Sequence, residues 1–181
     1  MPNWCQNKLT ITHKDKSALD KMMANVTEGG GDLFQYIKPM PDNCFRGALG
    51  KDEEEMCKRE GIPDWYSWST NNWGTKWDAC HMTHARINDN TITFDFDTAW
   101  SPPVPIFEEL TEQGFTVEAY YVEYGMDFAG EWHDDGETFH EDFCENIYEH
   151  GVTYNIDKAL GVHAEIADWK QQEEQDEMET A

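Results

Sequence analysis

Residues 87–157 contain no lysine and no arginine, yet they hold 18 aspartates and glutamates. The basic residues lie elsewhere. Residues 1–86 carry 11 lysines and arginines against 12 acids, and only Lys158 and Lys170 follow the gap. The net charge is −24. A chain with this field repels phosphate at every step of approach, which excludes direct DNA or RNA binding through backbone contacts. What the field permits is a basic partner.

Other absences are equally informative. No apolar run approaches the roughly 18 residues of a membrane helix. No signal peptide precedes Asn3, so a cytoplasmic protein without membrane contact is expected. Five cysteines, an odd count without CxxC, favour reduced thiols over a disulfide framework. No GxSxG, HExxH or GxxxxGK[ST] occurs, and Gly29-Gly30-Gly31 lacks the Lys-Ser/Thr that a phosphate-binding loop needs. Cys80, His81 and His84 are close, but on a strand positions 81 and 84 face opposite ways, a poor geometry for zinc. No metal and no cofactor is expected.

What is present is aromatic and strand-like. Aromatics make up 13% of the chain, enough to build a core although apolar residues are only 39%. Ile92, Phe94 and Phe96 alternate with Thr93, Asp95 and Asp97, the period of a half-buried strand. Pro102-Pro103 ends it, and Ser101 is placed to cap a helix over 104–112. Leu9 and Ile11 mark a first strand, and Ala18, Leu19, Met22, Met23 and Val26 mark a helix stripe. Leu33–Ile37 reads as extended, 50–60 as a helix stopped by Gly61. Five rings from Trp65 to Trp77 read as a satellite core or, more sharply, as an aromatic ligand platform. Cys80–Asn88 pairs with the central strand across Asp89-Asn90. Phe115–Tyr124 and Met126–His133 form a further hairpin. Phe139–His150 and Asp157–Lys170 read as helices, and the acidic end 173–179 as frayed.

Without the insertion at about 38–79, the order is βαββαβ plus a strand. The fold class expected is α+β: a ferredoxin-like antiparallel sheet with helices on one face, spanning residues 1–133. Residues 134–181 follow as an acidic helical C-terminal extension.

Four segments, MPNWCQNKLTI at the start, WGTKWD at 73–78, FDTAWSPP at 96–103 and EYGMDFAGEW at 123–132, resemble the YubB-like ferredoxin-like domain family of phage- and plasmid-encoded proteins. The likeness spans about residues 1–133. It implies the fold and a mobile-element origin, and it carries over no catalytic residue.

The residues expected to meet a partner are the acids Asp95, Asp97, Glu118, Glu123, Asp127, Glu131, Asp134, Asp135, Glu141, Asp142 and Glu145, with Trp132 and Tyr148 as exposed aromatic anchors. The leading expectation is a non-enzymatic protein that engages a basic host protein. A DNA mimic that inhibits a nucleic-acid-binding defence protein is its specific form. The alternatives are a metal-dependent hydrolase or nuclease using Asp95 and Asp97, and a virion structural or assembly component.

Overall fold

The computed structural model describes residues 3–28, 32–134, 136–143 and 154–180. Six antiparallel strands form one sheet in the order β2-β3-β1-β4-β5-β6. In chain order these are β1 (Trp4–Thr12), β2 (Cys80–Asn88), β3 (Thr91–Ala99), β4 (Thr116–Glu123), β5 (Phe128–His133) and β6 (Gly136–Glu141). The helices are α1 (Lys16–Met23), continued as one π-turn over Ala24–Glu28, α2 (Leu33–Ile37), α3 (Lys51–Glu60), α4 (Trp65–Asn72), α5 (Val104–Glu112), α6 (Tyr154–Leu160) and α7 (Val162–Thr180).

The central strand β1 shows how alternation sorts the faces. Cys5, Asn7, Leu9 and Ile11 are buried, and the residues between them are half-buried. They meet Ile92, Phe94 and Phe96 of β3 and Val117, Ala119 and Tyr121 of β4. Leu19 and Met22 of α1, Phe34 of α2 and Ile106, Phe107 and Leu110 of α5 close this core. Trp73 lies within it, and Trp65 and Trp68 pack against it, so the Trp-rich segment extends the main core and forms no satellite.

The second face is not open. Ile156, Val162 and Ile166 of α6 and α7 pack with Val122, Ala129 and Phe143. Helices therefore cover both faces, where the sequence pattern led to one. At roughly 1.5–3 kcal/mol per buried aliphatic side chain, these three outweigh the part-exposed polar ties of Glu165 to Gln6 and Tyr124. Apolar burial docks the C-terminal helices.

Other expectations need correction. Leu33–Ile37 is helical, because the Asp78 carboxylate accepts the N–H groups of Phe34 and Gln35 at its start. Ser101 does not cap α5: Pro103 occupies the N-cap, and Ser101 Oγ donates to Gly74 O at 2.6 Å. Residues 139–141 belong to strand β6, paired with β5, and not to a helix. The helix expected over 157–170 is divided at Gly161, whose φ is +71°. Backbone 173–179 continues α7. No helix among the described residues is long and apolar enough to cross a membrane.

Candidate functional site

The acids expected to form one recognition surface take several different jobs. Glu123 is buried and accepts from Gly125 N and Met126 N at 2.8 and 2.7 Å, so it ties the β4–β5 turn. Asp134 accepts from Val117 N at 2.7 Å and holds the end of that hairpin to β4. Asp127 and Asp142 sit at positive φ, 55° and 51°, where a short polar side chain fits a turn. Trp132 is 8% exposed and packs on Phe107, which removes it from any surface role. It lies on the buried face of β5 because Phe128 and Gly130 precede it at strand period. Asp135, Glu145 and Tyr148 fall outside the described residues.

Asp95 and Asp97 do share one face of β3, as their spacing requires. Asp95 pairs with Lys8 at 3.0 Å, and Asp97 with His81 at 2.8 Å. Gln6, His81, Asp95 and Asp97 line a cleft of about 240 Å³ beneath Ala159 and Leu160 of α6. On the far side of Ala159, Lys8, Glu118, Tyr120 and Lys158 line a second cleft of about 190 Å³. Burial, then the charges of Glu118 and Glu131, push the Tyr120 phenol up to about 12. Among the described residues no group of three or more histidines, cysteines or acids could hold a metal ion.

Glu118, Glu141 and Asp142 are exposed. Glu141 belongs to β6, the edge strand beyond β5 among the described residues. Glu137, Phe139 and Glu141 alternate along this strand and so share a face, with Phe139 48% exposed beside Phe128. The opposite edge, β2, carries His81, His84 and Arg86 and no acid. The sheet is therefore electrically unequal from edge to edge.

A different cluster gathers at one end of the central strands. Trp4 lies 6.1 Å from Trp77 and 5.4 Å from His81, ring centre to ring centre. The Lys76 ammonium stands 3.8 Å from the Trp77 ring and 4.3 Å from the Trp100 ring. Trp77 and Trp100 are 38% and 41% exposed. The loop that presents them is fixed: Thr75 Oγ1 donates to Ala99 O and accepts from Ala99 N, at 3.1 and 3.2 Å. His81 and Trp100 both hold positive φ, 51° and 69°. Sequence reasoning singled out the Trp65–Trp77 segment but missed this convergence, since its rings come from positions 4, 77 and 100. The available signal was that WGTKWD and FDTAWSPP each pair tryptophan with glycine or proline, which fix backbone direction.

Gly74 is part of that fixing. Its φ is +79°, and a β-carbon there would stand 2.8 Å from Pro105 Cδ and 3.1 Å from Pro102 O. Gly74→Ala is expected to cost about 1–3 kcal/mol. Urea unfolding should show it as a lower midpoint with an unchanged slope.

The six-stranded antiparallel sheet and the seven α-helices among the described residues define an α+β protein. More particularly, the chain belongs to the family described as the ferredoxin-like domain in Api92-like protein, whose model matches residues 72–181. That match runs through the C-terminal helices, past residue 133 where the sequence resemblance stops. The crystal structure of a protein api92 from Yersinia pseudotuberculosis superposes with a TM-score of 0.50 at 12% identity, covering 78% of this chain and 98% of that one. At that identity the likeness concerns the fold. No curated protein matches the chain.

Proposed function

We propose that this chain is a non-enzymatic binding protein that uses its acidic β6 edge to engage a basic surface on another protein. The carrying observation is the row Glu137–Phe139–Glu141. It sets an exposed ring between two carboxylates, of which Glu137 also accepts the Tyr121 hydroxyl through one oxygen, on the outermost described strand of the sheet, inside a 71-residue stretch without lysine or arginine. Phe139 takes the anchor role expected of Trp132, because apolar rings at an interface centre supply affinity while surrounding charges supply speed and salt sensitivity. Asp95, Glu123 and Asp134 drop out of the contact set, since Lys8 and backbone N–H groups already engage them.

In keeping with the YubB-like resemblance, β1, α1, β2, β3, α5 and β4 form the βαββαβ unit of a phage- or plasmid-encoded protein. With its acidic charge, the protein acts in the host cytoplasm as a DNA mimic against a nucleic-acid-binding defence protein. The test is capture from host lysate at 50 mM salt, with wild type beside the Phe139→Ala, Glu141→Lys double variant. A nucleic-acid-binding protein should be retained by wild type, released by 500 mM salt and by duplex DNA, and held at least tenfold less by the variant. Capture that is indifferent to salt and to the variant would sink the proposal.

A further inference from the structure

We infer that Trp77 and Trp100 form a clamp for the side chain of an arginine on a basic peptide segment, with Lys76 as its resident placeholder. This site is separate from the β6 edge. The Lys76 ammonium lies within 4.3 Å of both rings, so the ring centres stand no more than about 8 Å apart. One cation already contacts both rings there, and an indole face is the strongest aromatic attractor of positive charge. Arginine suits it better than lysine. Its guanidinium is flat, more weakly hydrated than an ammonium, and able to stack on a ring while its edge donates to a carboxylate.

The surroundings favour the same occupant. From Trp77 a continuous strip runs over Trp4 to His81, and His81 contacts Asp97 at 2.8 Å. Beyond it opens the 240 Å³ cleft that Asp95 and Asp97 line. A peptide with one arginine in the clamp therefore finds the Asp97 carboxylate, whose present contact is His81 and not a lysine, for its next basic side chain. The clamp needs little reorganisation, since Thr75 and Ser101 already hold its two loops together. Displacing Lys76 requires only that a flexible, half-buried side chain swing into water.

The probe is the synthetic peptide acetyl-Gly-Arg-Gly-Arg-Gly-amide, titrated into 15N-labelled protein while the indole N–H signals are followed. The Trp77 and Trp100 signals should shift saturably, and Trp77→Ala or Trp100→Ala should abolish the saturable phase. Lys76→Met removes the competing cation and keeps the length of the side chain. It should tighten binding roughly three- to tenfold. A purely structural Lys76 would give no such gain. Unchanged or weaker binding by Lys76→Met, or shifts confined to signals other than Trp77, Trp100 and Trp4, would overturn the inference. Glu141→Lys should leave these indole shifts intact, so failure at the β6 edge and failure of the clamp give different results.

Discussion

Gly130→Ala is expected to cost roughly 3–5 kcal/mol and to lower the melting temperature by about 10 °C. Gly130 sits in the buried middle of β5, opposite Tyr121 of β4 and Phe139 of β6. The Tyr121 ring lies across it, and the hydroxyl donates to a Glu137 carboxylate oxygen. A β-carbon at 130 would collide with the end of that ring and would stand 2.8 Å from Thr138 O. Neither neighbour yields cheaply. Thr138 O is backbone, and Tyr121 is fully buried with its outer atoms committed. Burial, then the Glu137 contact, raise the Tyr121 phenol, so no ionisation of the ring offers relief. The check is a double-mutant cycle with Tyr121→Leu, which removes the outer ring. Gly130→Ala should cost at least about 1 kcal/mol less on that background than in wild type, the remainder being the contact with Thr138 O. Additive losses would show that the ring is not what excludes the methyl group.

How far each feature could be read from sequence depends on the separation of its causes. β1 and β3 were legible because alternation is local, and the Asp89-Asn90 turn that joins β2 to β3 is local too. The glycine at 61 stopped α3 where its φ of +67° allows. Leu33–Ile37 was illegible because its cap is Asp78, more than forty residues away. The strand over 139–141 is illegible as such because what fixes it is its pairing with β5, which no local pattern records. Phe139 lies on one strand face and Phe143 packs in the opposite core cluster. The candidate site follows the same rule. The acidic bias was visible, but the consumption of Glu123 and Asp134 by backbone N–H groups was not. The Trp77–Trp100 clamp needs two loops and a strand end to meet, which no window of sequence contains.

The second large effect is a pH dependence carried by Asp78. Its Oδ1 accepts from Phe34 N and Ala79 N at 2.9 and 2.8 Å, and its Oδ2 from Gln35 N at 2.8 Å. The α2 N-cap residue, Asp32, makes no side-chain cap bond, so Asp78 caps this helix from the neighbouring chain segment. Burial pushes the carboxyl from 3.8 up to about 6, against the pull of the three N–H donors. A carboxyl raised on folding binds its proton more tightly in the native state. Its contribution is therefore complete below about pH 4 and is lost as pH rises through about 6. A shift of that size is worth up to about 3 kcal/mol across the window. Repulsion among the other carboxylates of a −24 chain also grows with pH, so wild type alone would not isolate the effect. Asp78→Asn isolates it, since the amide does not titrate and the global charge term nearly cancels in the difference. Wild-type stability minus Asp78→Asn stability, from urea unfolding, should fall by up to about 3 kcal/mol between pH 4 and 7. A difference that rises over the same range would mean that the three donors hold the carboxylate as an anion, and that burial is the weaker force at this helix cap.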